Sequence, residues 1–246
     1  MIKHCVAVVP AHDEEKSIGT CVGAVIDAAY AATVPVDIVV ALDACTDNTA
    51  EALKRFGPQV RGVEMTYRNV GFTRRAGVEA ALAGLPDDVD LDETWILSTD
   101  ADSVVPPDWI SRQLDLANRG CDAVVGTVEP NWKHDGRPVA IHRLYESRYN
   151  AVAGHQHIHG ANLGVRASAY RAVGGFDTLS CSEDVALVKN LREDGFNVLA
   201  VADIPVLTST RVSHRAPGGF SSYLSQLEAL TAEMTSARPS AAGTIS

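Results

Sequence analysis

The chain has 246 residues, enough for one α/β domain with a substantial core, and its 46% hydrophobic content is ordinary globular usage. Lys and Arg number 21 against 31 Asp and Glu, a formal charge of −10. That balance argues against a broad nucleic-acid-binding face but leaves room for a local basic pocket that takes a diphosphate. The cysteines Cys5, Cys21, Cys45, Cys121 and Cys181 are odd in number and lack C-x-x-C spacing, which argues against a disulfide framework and a structural zinc site. Reduced thiols and a cytoplasmic location are expected. The opening MIKHCVAVVP is broken too soon by Pro10 to be a signal peptide, and no apolar run approaches a membrane span. Peripheral membrane contact and a homo-oligomer stay open.

Cys5–Val9 predicts a buried strand stopped by Pro10, followed by the loop AHDEEKS and a helix from Ile18 to Ala32 capped by Asp13 or Ser17. Val36–Leu42 predicts a second strand. The polar turn ACTDNT then leads to a helix through Phe56, and Val60–Met65 to a weaker third strand. Thr73–Ala83 reads as a helix ended by Gly84 and Pro86, and Trp95–Leu97 as the core of a short buried strand. A helix over Trp109–Asn118 and a strand over Cys121–Val128 follow. Val139–Ala153 reads as helical, Gly160–Val165 as a strand, Ala167–Val173 and Ser182–Glu193 as helices, and Phe196–Val201 and Val206–Arg211 as two strands. A last helix covers Phe220–Met234, and Ala237–Ser246 is small, polar and expected to be disordered. Strand–helix alternation at this spacing implies a mostly parallel sheet with right-handed crossovers.

The chemistry concentrates at Asp100-Ala101-Asp102. Two carboxylates one residue apart, just past a strand end, suit a hard divalent cation with oxygen ligands, in the crevice where open α/β sheets bind ligands. Asp is also a common turn residue, so the pair alone does not decide. Gly71 with Arg74 and Arg75 stands at a helix start, where N–H groups and guanidinium forks suit a diphosphate. Glu183-Asp184 opens another helix. His155, His157 and His159 alternate, which puts them on one side of an extended segment. They read as solvent-facing rings, an acceptor-site wall or a second metal site.

The order VVPAHDEE, ALDACTDNT, RNVGFTRRAG, STDADS, GANLGVRASAYRAVGGF and SEDVALVKNLREDG resembles family 2 glycosyltransferases of the GT-A fold, over roughly residues 5 to 215. The resemblance implies a Rossmann-like α/β domain over residues 1–215. Residues 1–120 would form its nucleotide-sugar half and 121–215 its acceptor half. A helix over 216–236 and a tail over 237–246 would follow. It implies that the Pro10–Glu15 loop holds the nucleoside, with Glu14 or Glu15 on the ribose hydroxyls and His12 where the family often has Asn. Asp43 would accept from the base, which does not separate UDP from GDP. Arg74 or Arg75 would face the diphosphate.

In the same resemblance Asp102 ligates Mn²⁺ or Mg²⁺. Asp100 contacts ribose, the donor sugar, or the metal through water. Asn162 lies in the loop before the acceptor side. Asp184, next to Glu183, is the general base. His214 is the candidate third metal ligand, Arg211 or Arg215 a phosphate contact, and Gly218-Gly219 the hinge of a closing segment. The activity implied is transfer of a sugar from a nucleoside-diphosphate sugar to a small or lipid-carried acceptor, with inversion. A retaining GT-A enzyme, a nucleotidyltransferase and a non-catalytic nucleotide-sugar-binding protein are the alternatives. The acidic PAHDEE loop disfavours a nucleotidyltransferase, whose first loop is usually Gly-rich and basic. Acceptor specificity is assigned to the segment from about Asn131 to His159, where the resemblance is weakest.

Overall fold

A computed structural model describes residues 1–149, 151–211 and 220–236, with the side chains of 134 and 232–236 left aside. It forms two compact units, Met1–Pro130 with Ala151–Ser209, and Asn131–Asn150 with Thr210–Ser246. The first unit is built on strands β1 (His4–Ala11), β2 (Val36–Asp43), β3 (Val60–Met65), β4 (Thr94–Ser98), β5 (Ser103–Val104), β6 (Ala123–Asn131), β7 (Leu163–Arg166) and β8 (Val198–Ser209). Its helices are α1 (Ile18–Tyr30), α2 (Thr49–Leu53), α3 (Val70–Ala83), α4 (Trp109–Asn118), α6 (Ala167–Ala172) and α7 (Glu183–Glu193). Helices α5 (Val139–Arg148) and α8 (Phe220–Ser236) belong to the second unit.

The sheet order is β3-β2-β1-β4-β7-β6-β8-β5. β3, β2, β1 and β4 pair in parallel, as strand–helix alternation predicts. From β4 onward the β4–β7, β6–β7 and β5–β8 pairings are antiparallel, so the sheet is mixed. The switch follows from connection type. Strand β7 enters from the turn at Gly160–Asn162 rather than from a crossover helix, so nothing forces it to run parallel to β4.

Both faces of the parallel half are covered, which explains why β1 and β2 read as continuous apolar runs. Along β1, Cys5, Ala7 and Val9 face the layer of α1 and α4, where they meet Ile18, Val22, Trp109 and Ile110. The alternate residues Val6 and Val8 face α3, α6 and α7 and meet Val78, Tyr170, Leu187 and Leu191. β4 repeats this with Trp95 and Leu97 on one side and Ile96 on the other. All five cysteines are free thiols.

Several boundaries differ from the sequence reading, most by two or three residues, and three differences bear on the layout. α5 stops at Arg148, short of Ala153. Gly160–Asn162 is a 3-10 turn, and the strand begins only at Leu163. The two late strands are one, β8, continuous through Asp203 and Pro205. On the β5 side the pairing takes only Leu207 and Thr208, so no β5 carbonyl waits for a proline N–H at Pro205. The short β5 was not anticipated.

In the second unit α5 packs on α8 through Ile141, Tyr145, Leu224 and Leu227. Tyr145 stacks on Tyr149 at 4.9 Å between ring centroids and meets Phe220 edge-on at 6.0 Å. Arg137 pairs there with Asp135 and Glu228. Among the described residues no helix is long and apolar enough to cross a membrane.

Candidate active site

Where β4 ends, the chain turns sharply: the Asp100 carbonyl accepts from Ser103 N at 3.0 Å and from Cys21 Sγ at 3.2 Å. The Cys21 thiol is held protonated for that role, because burial, then Asp102 and Asp100, push its pKa well up. Ala101 is buried, while Asp100 and Asp102 are half-buried at the surface of the crevice.

Arg74 is the centre of the arrangement. Its α3 backbone brings the guanidinium under β4, where it is 3% exposed. Nε donates to Glu183 Oε1 at 2.7 Å, Nη1 to Ser98 Oγ at 2.6 Å and to the Gly160 carbonyl at 3.3 Å, and Nη2 to Asp100 Oδ1. A Cβ on residue 160 would lie 2.4 Å from Arg74 Nη2, so glycine there admits the guanidinium. Burial alone would lower its pKa, but Asp100, Glu183 and Asp184 more than offset that and hold it above its ordinary value. Arg74, read from the sequence as a candidate diphosphate contact, forms a buried hub that joins Asp100, Glu183 and the Gly160 turn.

Ser182 (φ 63°, ψ 21°) turns the chain into α7 in the left-handed region. Consecutive helical positions then aim their carboxylates apart. Glu183 is 4% exposed and goes inward to Arg74, which removes it from contact with any acceptor. Asp184 is half-buried, and its Oδ2 accepts from Gly160 N at 2.6 Å and its Oδ1 from Val185 N at 2.8 Å. Burial first, then the neighbouring Glu183, raise the Asp184 pKa; Arg74 and the two N–H donors oppose this without cancelling it. A carboxylate raised in this way is suited to taking a proton.

The two nucleoside-side loops are laced together. Asp13 Oδ1 accepts from Thr46 N at 2.6 Å and Asp47 N at 3.2 Å. Asp47 in return accepts from Glu15 N at 3.0 Å, and Glu15 Oε2 from Asn48 Nδ2 at 3.0 Å. Thr49 Oγ1 accepts from Glu14 N at 2.7 Å, and Glu14 Oε2 from Ser17 Oγ. Glu14 is buried and Glu15 exposed. His12 Nδ1 donates to the Asp43 carbonyl at 2.6 Å, and Pro10 sits within β1 beside Ala41 of β2. Asp13 and Asp47, which read as cap residues, are the cross-links of this double loop.

Asp43 is 3% exposed and accepts from Arg68 N, Asn69 N and Thr73 Oγ1 at 2.8, 3.0 and 2.6 Å. Burial pushes its pKa up, and these donors pull it further down, so it stays ionised. Its carboxylate fixes the entry to α3. The α3 N-terminus is also occupied: Gly71 N donates to the Leu179 carbonyl at 3.0 Å and Phe72 N to Asn69 Oδ1 at 3.0 Å. A Cβ on Gly71 would lie 2.7 Å or less from the Leu179 backbone. The helix end thus anchors the 177–182 loop rather than presenting N–H groups to a phosphate. Arg75 is exposed and donates to the Phe176 carbonyl at 3.3 Å.

Asn162 is fully buried and spent on the scaffold. Its Nδ2 donates to the Thr127 and Ile204 carbonyls, both at 2.8 Å, and its Oδ1 accepts from Trp109 Nε1 at 2.9 Å. It brackets β6, β8 and α4. Asn162→Leu should cost about 3 kcal/mol or more, because it strands three buried polar groups at about 1–3 kcal/mol each. Denaturant unfolding reads this directly, and a loss below about 1 kcal/mol contradicts the bracket role. Arg211 is exposed. His214, Arg215 and the Gly218-Gly219 hinge lie outside the described residues.

His155, His157 and His159 do share one side. Their rings stack in series, with centroids 5.6 and 6.2 Å apart and interplanar angles of 29° and 17°. The His159 pKa is pushed down to about 4 by burial and His157, against the opposing charge of Asp100. Among the described residues no group of three or more His, Cys, Asp or Glu is arranged to hold a metal, so the second-metal reading gains no support. Asp100 and Asp102 remain as the two carboxylates at the crevice. One oxygen of Asp100 is engaged by Arg74, yet 36% of the side chain is exposed. Such a donor set fits a hard divalent cation whose remaining ligands are phosphate oxygens and water.

A half-parallel sheet covered on both faces, with a D-x-D at a central strand end and an E-D opening a helix beside it, defines the GT-A class of α/β proteins. Residues 6–173 match the family described as "Glycosyl transferase family 2", and the chain belongs to that family. No curated protein is matched by the sequence. Among solved structures, a Pyrobaculum calidifontis mannosyltransferase, PcManGT, in complex with GDP-Man and Mn²⁺ superposes with a TM-score of 0.62 at 18% identity. That match covers 100% of this chain and 77% of the other. S. aureus TarS 1-349 with UDP-GlcNAc gives 0.62 at 14% identity, covering 94% and 66%. GalNAc-T7 with UDP, GalNAc and Mn²⁺ gives 0.60 at 14% identity, covering 89% and 46%. The chain spans 60% of the length of TarS 1-349 in its UDP complex.

Proposed function

We propose that this chain is a divalent-metal-dependent glycosyltransferase that moves a sugar from a UDP- or GDP-linked donor to an acceptor hydroxyl with inversion. The observation that carries the reading is Asp184. It is half-buried, raised in pKa and aimed at the Gly160 turn, and Arg74 links it through Gly160 to Asp100 of the D-x-D. Asp184 takes the proton of the attacking hydroxyl, and Gly160 N–H fixes the carboxylate that does so. Arg74 and Glu183 hold both loops in register from beneath. Asp102, with Asp100, would hold Mn²⁺ or Mg²⁺, which when bound supplies Lewis-acid stabilisation of the charge on the departing nucleoside diphosphate. The sugar nucleotides and Mn²⁺ in the structurally similar proteins agree with this donor class.

Calorimetry with UDP and GDP, with and without Mn²⁺, tests the reading. One nucleotide is expected to bind at least about tenfold tighter with the cation, a coupling near 1.4 kcal/mol. Asp102→Asn should remove that increment. Binding that ignores Mn²⁺, or no binding of either nucleotide, defeats the proposal.

A further inference from the structure

The histidine ladder has no part in the reading above, yet it ends next to Gly160, whose N–H bonds Asp184. At its far end His155 is 3% exposed, and its Nε2 lies 3.0 Å from the Val201 carbonyl. A carbonyl only accepts, so Nε2 donates to it, and Nδ1 is buried without a hydrogen-bond partner. His155 is thus pinned to β8. Gly154 N donates to the neighbouring Ala200 carbonyl at 3.0 Å, which holds the backbone there as well. His157 stacks on His155, and His159 stacks on His157.

His159 is extended (φ −137°, ψ 121°) and is followed directly by Gly160. Gly160 gives its N–H to Asp184 and its carbonyl to Ser98 and Arg74, while Arg74 reaches Asp100. His159 therefore directly precedes the turn that joins Asp184 to Asp100, its ring feels the Asp100 charge, and its stack is braced as far back as β8. On the glycosyltransferase reading, the sugar passes between these two carboxylates. A short ring braced there by its stack is suited to exchanging hydrogen bonds with hydroxyls.

We propose that His159 is a specificity-determining contact to a hydroxyl of the transferred sugar, held in place by its stack on His157 and His155. The inference rests on the glycosyltransferase reading. It predicts that His159 contributes to binding of the hexose and not of the nucleotide.

The test compares calorimetric titrations, in Mn²⁺, of UDP against UDP-GlcNAc and GDP against GDP-mannose for the wild type, His159→Ala and His159→Asn. For the nucleotide that the wild type binds, His159→Ala is expected to change affinity for the bare diphosphate less than about twofold. It should weaken the sugar conjugate about tenfold, the usual scale of one lost polar contact. His159→Asn, which keeps a neutral donor and acceptor, should recover part of that loss. Unaltered binding of the bare diphosphate shows that each variant is folded. An unchanged ratio of conjugate to diphosphate affinity overturns this inference alone. So does an equal weakening of both with a lowered Tm, which would mark His159 as packing. Failure of the wild type to bind either nucleotide overturns the glycosyltransferase reading and this inference with it.

Discussion

Asp184→Asn lowers the turnover of donor by about 10²–10⁴-fold, the range a positioned general base supplies, while donor affinity changes less than about twofold. The substitution keeps the shape of the side chain and one accepting oxygen. It removes the lone pair that would take a proton and leaves one of the Gly160 and Val185 N–H groups without its carboxylate acceptor. That structural cost is on the order of 1 kcal/mol and is read separately by thermal unfolding. The pH profile gives a second readout. A base works only when ionised, and the Asp184 pKa is raised by burial and by Glu183. The acid limb of kcat/KM should therefore lie above the ordinary Asp range near ~3.9, with activity lost as pH falls through the raised value. The residual activity of Asp184→Asn should lack that limb. Turnover within about threefold of wild type, or an unshifted limb in the variant, removes Asp184 from the role.

Much of the fold was legible because the parallel half obeys local rules. β1, β2 and β4 are short apolar runs, and the spans read for α4 (Trp109–Asn118) and β3 (Val60–Met65) match the structure. The antiparallel half was harder. β5 is two residues long, and β8 passes through Pro205, so neither carries a clean period. Asp100, Asp102 and Asp184 stand out in the sequence as carboxylates at a strand end and a helix start, and the structure links Asp100 to Asp184 through Arg74 and Gly160. Arg74 does not stand out in that way. Next to Arg75 in sequence, it differs only in which side of α3 it takes, and burial of a guanidinium depends on partners 24 to 109 residues away. Asn162 and Asp43 carry polar side chains that read as ligand contacts, and in the structure they bond backbone groups together with Trp109 and Thr73. Composition could not separate those two uses.

Arg74→Met should be among the most damaging single changes to stability in the first unit. It removes the partner of Glu183, which is 4% exposed, and of one oxygen of Asp100. Breaking a buried pair by deleting one member costs about 3–5 kcal/mol, since the remaining charge is left without compensation. For a unit of this size each 1 kcal/mol moves Tm by about 2–4 °C, so a fall of about 6–20 °C is expected in thermal unfolding. Arg74→Lys should recover little, because one ammonium cannot reach Glu183, Ser98, Gly160 and Asp100 together in the fork geometry. Pairing Arg74→Met with Glu183→Met separates charge from packing. Replacing a whole buried ion pair by apolar side chains of similar volume is often neutral, so the double variant should regain much of the lost stability. It should not regain turnover, because Asp100 and the Gly160 turn would still lack the guanidinium that holds them in register. Recovery of both would make Arg74 a stability residue only, and a Tm loss under about 3 °C for Arg74→Met would mean that the hub is not what joins the D-x-D to the base.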